Sequence, residues 1–423
     1  MVELFGPEAQ KWIVLAIFVL TFALILYRKI PIYILSLAGA AMLILAGIMS
    51  AKAALLESVS WDVLAIYWGY GMLAIALRES RMPAAIANWV LPRVKKEKYA
   101  LLFLCALAAA LSSFMANPVV VLMLAPLAIE MAERLKSSLF LYLVGLAIAS
   151  NVVTTVSMVA DPPALILAME TGMKFLDFYW FKGRLSLGTL SVVGVGVALL
   201  SLLIQFRKLN NPVDIKSKPI SMTYGPLAVF ILSVIALAVP PTNVYPGLVG
   251  LALGIVSLIL IRDRTRAWEA FKEFDWASIF FLIGIFIVIA AVDKVGLLKD
   301  FAIWMTGIGL TQPIVVLTIV TWLSVALSSF IDNVPYTVLM IPTCTYLAHT
   351  LGISPFLLYF GMLAGTGIGG NITPVGATAN VLACGILEKR GHRIELGPYL
   401  KLSVPFSVSA VLAVQVLLML IWL

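Results

Sequence analysis

The chain has 423 residues, of which 62% are hydrophobic and only 12% are charged. Soluble globular domains carry about 25% charged residues, so this composition excludes a soluble enzyme or binding module and indicates a membrane protein. The net charge of +8 would favour a nucleic-acid partner in a soluble protein. Here the basic residues separate apolar segments, so we expect a lipid bilayer and no nucleic acid as partner.

Apolar segments close to the length of a bilayer span recur along the whole chain, which predicts an integral protein of the plasma membrane. They include residues 12–27, 32–49, 61–77, 185–206, 227–239, 245–261, 278–292 and 403–423. Basic residues cluster between the spans, and the positive-inside rule places these loops in the cytoplasm. The basic loops are residues 28–29, 93–98, 207–218 and 262–272.

One phrase of the sequence occurs twice. Residues 110–126 read ALSSFMANPVVVLMLAP and residues 326–342 read ALSSFIDNVPYTVLMIP, an offset of 216 residues. The same offset pairs a second stretch, 151–166, with 367–382. A constant shift across two separated motifs indicates an internal duplication. We divide the chain accordingly into a first repeat, residues 1–218, and a second repeat, residues 219–423.

Matching loops of the two repeats differ in charge. The basic loop 93–98 corresponds to the uncharged 309–314, and the basic 262–272 corresponds to 46–56, where Lys52 is the one basic residue. If basic loops lie inside, the repeats sit in the membrane with opposite orientation. Inverted repeats of this kind are typical of secondary transporters. We therefore expect an all-α polytopic membrane protein with two inverted-topology repeats and broken helices.

Each copy of the repeated phrase contains residues that interrupt a membrane helix. Proline lacks a backbone N–H and disfavours helix just before it, so Pro118 and Pro335 predict helix breaks inside the membrane. A break leaves free N–H groups, which attract anions, and free C=O groups, which attract cations. Broken helices at matching places in two repeats indicate the binding site of a transporter.

The second pair of motifs adds further polar residues. The stretch GTGIGGNITPVGATAN, residues 365–380, has five glycines and a proline, so it predicts a re-entrant hairpin or an unwound segment. Close packing between helices is the alternative role for these small residues. The candidate ligands for a substrate or ion at both motif pairs are Asn117, Asn151, Thr154, Thr155, Ser157, Asn333, Asn371, Thr373, Thr378 and Asn380.

Two acids lie at the centres of these motifs. A carboxylate in apolar surroundings is costly, so Asp161 and Asp332 are candidates to bind a cation or to accept a proton. The alternative for each is to cap the start of a helix. We expect Na⁺ or H⁺ as the coupling ion, with Na⁺ near Asn117, Asn333 and Asp332, and no other metal or cofactor.

The motifs SSFIDNVPYTVLMIP (328–342), GGNITPVGATANVLACGILEKRG (369–391) and VADPPALI (159–166) carry a resemblance to a known family. The chain resembles the group of arsenite permeases, NhaD-type sodium/proton antiporters and melanosomal P proteins. That group belongs to the ion transporter superfamily, in which citrate and dicarboxylate carriers are distant relatives. The resemblance implies about ten or eleven crossing helices, two re-entrant hairpins and usually a homodimer whose transport domain moves as an elevator. The first half departs from the P protein pattern at Ala160 and Ala164.

The leading hypothesis is a secondary transporter that moves a small anion or oxyanion, such as arsenite or a dicarboxylate, by alternating access. Coupling to Na⁺ or H⁺ would supply the driving force. A sodium/proton antiporter without an organic substrate is the alternative, and an anion channel is a third hypothesis. An enzyme is not predicted, because the sequence contains no HExxH motif, no GxSxG motif and no paired histidines.

Overall fold

A computed structural model of the chain describes residues 5–27, 29–213, 222–240, 245–261, 264–307, 312–330 and 333–423. This described part is mostly helical, as the apolar segments predict. Its two strands, β1 (Trp180–Phe181) and β2 (Arg184–Leu185), pair antiparallel in a short hairpin.

The helices divide between the two parts of the chain. Up to residue 213 they are α1 (Pro7–Tyr27), α2 (Ile32–Leu45), α3 (Trp61–Glu79), α4 (Met82–Val90), α5 (Glu97–Ser112), α6 (Asn117–Arg134), α7 (Leu139–Asn151), α8 (Pro162–Thr171) and α9 (Leu187–Gln205). From residue 222 they are α10 (Gly225–Ala238), α11 (Pro246–Leu260), α12 (Arg264–Glu273), α13 (Trp276–Lys294), α14 (Leu297–Gly307), α15 (Pro313–Ser328), α16 (Asn333–Leu351), α17 (Pro355–Gly369), α18 (Thr378–Lys389) and α19 (Leu396–Trp422).

Four described segments are long and apolar enough to cross a membrane unaided: Pro7–Ile25, Leu187–Lys208, Arg264–Lys294 and Leu396–Trp422. Shorter apolar helices surround them, as expected where helices break inside the bilayer. Large apolar side chains such as Ile204, Ile259 and Leu420 are exposed on the outer surface. Lipid tails solvate such side chains, which explains their exposure.

The helices of the two halves begin at corresponding positions. The starts of α5, α6, α7 and α8 at residues 97, 117, 139 and 162 recur at 313, 333, 355 and 378, a constant offset of 216. The hydrogen bonds repeat as well. The Ser157 hydroxyl donates to the Ser113 carbonyl, and the Thr373 hydroxyl donates to the Ser329 carbonyl. The similarity of the two halves therefore extends from sequence to individual contacts.

Two of the predicted cytoplasmic loops lie side by side. Lys96 and Pro212 form an antiparallel bridge, which joins loop 93–98 to the chain after α9. The Glu97 N–H also donates to the Asn211 carbonyl over 3.0 Å. These contacts bring two basic segments from distant parts of the first half to the same place.

The ends of α3 and α12 lie near these loops. The helix α4, which connects α3 to loop 93–98, has nine residues and rises about 14 Å, less than half of the roughly 30 Å of a hydrocarbon core. At the end of α3, Arg78 binds Glu273 with N–O distances of 2.5 and 2.7 Å. The start of α2 lies near the start of α13, because the ring of Tyr33 is 6.5 Å from that of Phe280. We call the end with loop 93–98, Arg78 and Glu273 the basic end, and the opposite end the distal end.

The helices α5 and α6 form a hairpin that opens at the basic end. The Asn211 amide donates to the Glu97 carboxylate over 2.8 Å and to the Leu135 carbonyl over 3.3 Å. The start of α5 and the chain after α6 therefore share one place. The matching hairpin, α15 and α16, reaches the far end of α13, where the Tyr346 hydroxyl donates to Asp293 over 3.1 Å.

Within the glycine-rich stretch 365–380, residues 370–377 form an unwound segment rather than a re-entrant hairpin. The helix α17 ends at Gly369 and α18 starts at Thr378. The helix α17 begins at Pro355, shortly after α16 ends at the distal end. Arg390, after the end of α18, binds Glu133 near the end of α6. The two half-helices therefore continue across the protein, and the chain between α7 and α8 does the same.

The halves interlock through reciprocal packing, in which α2 packs against α13 and α11 packs against α3. Small residues allow both crossings. A Cβ on Gly69 would lie 1.9 Å from the Gly250 carbonyl oxygen, and a Cβ on Gly284 would lie 2.4 Å from the Ser36 carbonyl carbon. The helices therefore meet backbone to backbone at both crossings.

The variant Gly69→Ala is expected to destabilise the protein by about 1–3 kcal/mol, because its methyl group overlaps a rigid backbone. Gly196→Ala is the matched control, since nothing lies within 4 Å of the added carbon. Thermal unfolding in detergent measures the difference. Equal midpoints for the two variants would contradict the close crossing.

Candidate functional site

A cavity of about 340 Å³ lies where the broken helices meet. Four helices, α6, α8, α16 and α18, direct their N-termini to it. The first residues of each helix, and the residues just before it, line the cavity. These lining residues are Ala116, Asn117, Pro118, Val119, Asp161, Pro162, Asn333, Val334, Gly376, Ala377, Thr378 and Ala379.

The opposite wall of the cavity belongs to α3, α12 and α13. Tyr67, Tyr70 and Ile75 line it from α3, and the Arg78–Glu273 pair lines it at the basic end. The cavity therefore extends from the meeting point of the broken helices to the basic end of the molecule.

The two related helix starts, those of α8 and α18, differ in charge. The first N–H groups of a helix have no intrahelical partner and carry partial positive charge. Thr378 and Ala379 keep these groups at the start of α18, whereas Pro162 and Pro163 lack them at the start of α8. Asp161 adds a carboxylate at the α8 end. One half of the cavity is thus suited to an anion and the other to a cation.

Asparagine side chains join the two halves beside the cavity. The side-chain oxygen Oδ1 of Asn151 accepts from the side-chain amide of Asn117 over 3.1 Å. The Asn151 amide donates to the side-chain oxygens of Asn371 and Asn380, each over 3.0 Å. All four side chains are buried. Asn151 is therefore the residue through which the first break binds the second.

The outer asparagines of this network bind backbone carbonyls. The Asn371 amide donates to the Ile148 carbonyl, and the Asn380 amide donates to the Gly370 carbonyl, both over 3.0 Å. Both carbonyls lie beside a break: Gly370 follows the end of α17, and Ile148, in the last turn of α7, also accepts from the Val152 N–H. The side chains thus satisfy the backbone at the breaks, as an apolar environment demands.

Asn117 has one polar atom left for a ligand. It is 5% exposed, lines the cavity, and its Oδ1 has no hydrogen-bond partner among the described residues. A buried acceptor without a partner costs about 1–3 kcal/mol. A cation or a hydrogen-bond donor in the cavity would remove that cost. The equivalent Asn333 Oδ1 accepts from the Ser328 hydroxyl instead.

Asp161 occupies the N-cap position of α8 with extended backbone, but its carboxylate makes no capping bond. Asp161 therefore has the backbone position of an N-cap residue, but its side chain does not cap α8 and instead lines the cavity. The other predicted acid, Asp332, lies outside the described residues.

The predicted ligands divide into two groups. Thr155 shares a hydrogen bond of 2.7 Å with Ser191, and the Thr154 hydroxyl would lie 2.0 Å from a Cβ on Gly367. The residues that line the cavity are Asn117, Asn151, Asp161, Asn333 and Thr378. Those that pack behind it are Thr154, Thr155, Ser157, Asn371, Thr373 and Asn380.

The sequence reasoning missed the Arg78–Glu273 pair. Arg78 occurs at a span end, where an interfacial role is the usual interpretation, and its partner is 195 residues away. Arg78 thus places a guanidinium group on the cavity wall, although the broken-helix motifs themselves contain no arginine.

Broken helices at matching positions around one cavity, in a helical membrane protein, define a membrane transporter. The family model described as "Citrate transporter" matches residues 22–365. The chain belongs to this citrate transporter family, and the resemblance to the ion transporter superfamily is confirmed.

Similar proteins agree with this assignment. An uncharacterized transporter of Mycobacterium bovis is 27% identical over 422 residues, which cover 95% of this chain and 96% of the relative. The P protein of Homo sapiens is 23% identical over 493 residues, which cover 95% of this chain and 59% of that protein. The family model and the Mycobacterium bovis relative are both described as transporters, and the chain is a transporter rather than an enzyme.

Two solved structures share the fold. The YdaH transporter of Alcanivorax borkumensis has a TM-score of 0.60 at 16% identity, over 98% of this chain and 97% of that one. MtrF of Neisseria gonorrhoeae, from a class of antimetabolite efflux pumps, has a TM-score of 0.55 at 13% identity, over 97% and 96%. The polytopic helical architecture predicted from sequence is confirmed, and the chain is an integral membrane protein.

The variant Asn151→Ala is expected to lower the free energy of unfolding by about 1–3 kcal/mol for each buried group that it leaves unpaired. Asn210→Ala is the control, because the Asn210 amide makes one exposed bond, to Arg207, and surface changes cost about 0.5 kcal/mol at most. Thermal unfolding in detergent compares the two. A midpoint for Asn151→Ala equal to that of Asn210→Ala would contradict the role of the network.

Proposed function

We propose that this protein is a secondary active transporter of a small anion, such as a carboxylate or an oxyanion, coupled to Na⁺ or H⁺. The observation that carries the proposal is one cavity lined by four helix N-termini and by the Asp161 carboxylate. Helix N-termini bind anions through free N–H groups. A volume of about 340 Å³ lies within the range of small-molecule sites.

The anion would bind at the start of α18. Thr378 and Ala379 offer backbone N–H groups there, and Thr378 adds a hydroxyl that can donate. Neither position has proline, in contrast to the start of α8. Arsenite, dicarboxylates and citrate all present oxygen acceptors of the required kind. The family description makes citrate the first probe.

The coupling ion would bind at the start of α8. Asp161 supplies a carboxylate, and the Asn117 Oδ1 supplies an acceptor without a partner among the described residues. Hard cations such as Na⁺ prefer oxygen ligands of this kind, and a carboxylate in a low dielectric can instead take up a proton. Cation binding beside the anion also reduces the charge that the membrane-spanning cavity must hold.

The cavity supports alternating access. It extends to the basic end, which the positive-inside rule assigns to the cytoplasm. Leu122 of α6 lines it and is 40% exposed, whereas Val338, the equivalent residue of α16, is 9% exposed. Two related halves thus hold different conformations. An exchange of these conformations would open the cavity at the distal end, which is how inverted repeats transport.

The division at residues 218 and 219 and the homodimer stay predictions. The α5–α6 hairpin at the basic end and the α15–α16 hairpin at the distal end support halves of opposite orientation. A sodium/proton antiporter is the second candidate, because Asp161 alone suffices for exchange of one cation for another.

Reconstituted proteoliposomes with radiolabelled citrate and an internal pH dye separate the two candidates. Citrate uptake that depends on a Na⁺ or H⁺ gradient supports the anion carrier. A proton flux that Na⁺ drives equally well without any anion favours the antiporter and contradicts the proposal. Currents far above carrier turnover would indicate a channel.

The variant Asp161→Asn is expected to abolish ion-coupled uptake while the protein stays folded, because it removes a charge and preserves the shape. Glu170→Gln is the matched control at the other end of α8, since Glu170 is exposed and outside the cavity. Uptake in proteoliposomes and thermal unfolding are measured for both. Coupled uptake by Asp161→Asn at the control rate would refute the role of Asp161.

A further inference from the structure

The distal end is closed by a contact between α13 and α16. The Tyr346 hydroxyl of α16 donates to the Asp293 carboxylate of α13 over 3.1 Å. The neighbouring α14 also packs along α16. Tyr346 belongs to the second hairpin, whereas Asp293 belongs to a helix of the cavity wall. The bond therefore ties the hairpin to the wall at the end where the cavity does not open.

The internal duplication identifies the equivalent residues at the basic end. The helices α3 and α13 start at residues 61 and 276, and each is followed by a residue with positive φ, Arg81 at 58° and Gly296 at 79°. This offset of 215 makes Arg78 the counterpart of Asp293. The offset of 216 between α6 and α16 makes Glu130 the counterpart of Tyr346.

These two counterparts have opposite charges, but each has a different partner in this structure. Arg78 binds Glu273 with both guanidinium nitrogens and lies 3.5 Å from Glu79. Glu130 binds Arg134 of its own helix. Arg78 lines the cavity, and so does Leu122, which lies eight residues before Glu130 on α6 and is 40% exposed. The contact that closes the distal end thus has an unformed, charge-complementary equivalent at the open end.

We propose that Arg78 and Glu130 form an ion pair that closes the basic end when the cavity faces the distal side. The proposal rests on the alternating access of the proposed function. In the exchange, Arg78 leaves Glu273 for Glu130 as the Asp293–Tyr346 bond breaks. Both present ion pairs are partly exposed, and exposed ion pairs contribute little to stability, so the exchange changes the free energy little. A carrier requires two states of similar free energy, and this arrangement supplies them.

Cross-linking in membrane vesicles tests the pair directly. In a background without native cysteines, the double variant Arg78→Cys with Glu130→Cys is treated with a bifunctional methanethiosulfonate reagent, whose spacer replaces the length of the two lost side chains and joins both cysteines through disulfides. Linked peptides are quantified by mass spectrometry. The matched control is Arg78→Cys with Glu133→Cys, because Glu133 lies on the same helix and binds Arg390 instead. We expect the cross-link in the first variant and not in the control.

The change Tyr346→Phe adds a directional test. It removes the hydroxyl that closes the distal end, so the yield of the 78–130 cross-link is expected to rise, by up to about tenfold for the loss of one hydrogen bond. In parallel, Val338→Cys reports alternation through its reaction with a membrane-impermeant maleimide from the extracellular side. Tyr346→Phe is expected to increase this reaction as well.

A charge exchange guards against misfolding of the double-cysteine variants. Glu130→Arg is expected to reduce extracellular labelling of Val338→Cys, because it places two positive charges at the closed basic end, and its combination with Arg78→Glu is expected to restore the labelling. Labelling that alternates without any 78–130 cross-link above the control, and without recovery in the combined variant, would overturn the ion pair alone. Labelling of Val338→Cys that never occurs from outside would overturn alternating access as well.

Discussion

A broken helix inside a membrane must find hydrogen-bond partners for its backbone, because lipid offers none. This constraint organises the protein. The ends of α7 and α17 meet, and Asn371 and Asn380 supply donors to carbonyls at the breaks. Asn151 then connects the halves. Asn151 also binds Asn117 at the start of α6 and Asn380 in the first turn of α18, so the network that satisfies the breaks also positions these two helix N-termini at the cavity.

Duplication preserved the shape of the breaks while their chemistry diverged. The hydroxyls of Ser157 and Thr373 bind equivalent carbonyls, so both turns have the same geometry. The adjacent helix starts differ, with Asp161 and two prolines in one half and Thr378 in the other. A symmetric scaffold with unlike half-sites is suited to hold an anion and a cation together. Coupled transport needs an anion and a cation bound together, whereas two identical half-sites would not discriminate between the two charges.

Much of this architecture follows from the sequence, because proline, glycine and the repeat offset act locally. They predict breaks at Pro118 and Pro335 and an interruption within residues 365–380, and α6, α16 and α18 start at these places. The sequence did not separate cavity-lining residues from those behind the cavity, since an unwound segment has no period that assigns its faces. The sequence therefore presents Asn371 and Thr373 as candidate ligands together with Asn117, although only Asn117 of the three lines the cavity. The Arg78–Glu273 pair joins distant span ends, so only tertiary structure brings it to the cavity wall.

The central claim is that the two halves have opposite orientation in the membrane, so that the α5–α6 and α15–α16 hairpins open at opposite faces. Ser138 and Ser354 are equivalent, exposed residues just after these hairpins. Labelling of single Ser138→Cys and Ser354→Cys variants with an impermeant maleimide, in a background without native cysteines, measures their sidedness. The account predicts that Ser138→Cys reacts only from the cytoplasmic side and Ser354→Cys only from the extracellular side. Reaction of both from the same side would contradict it.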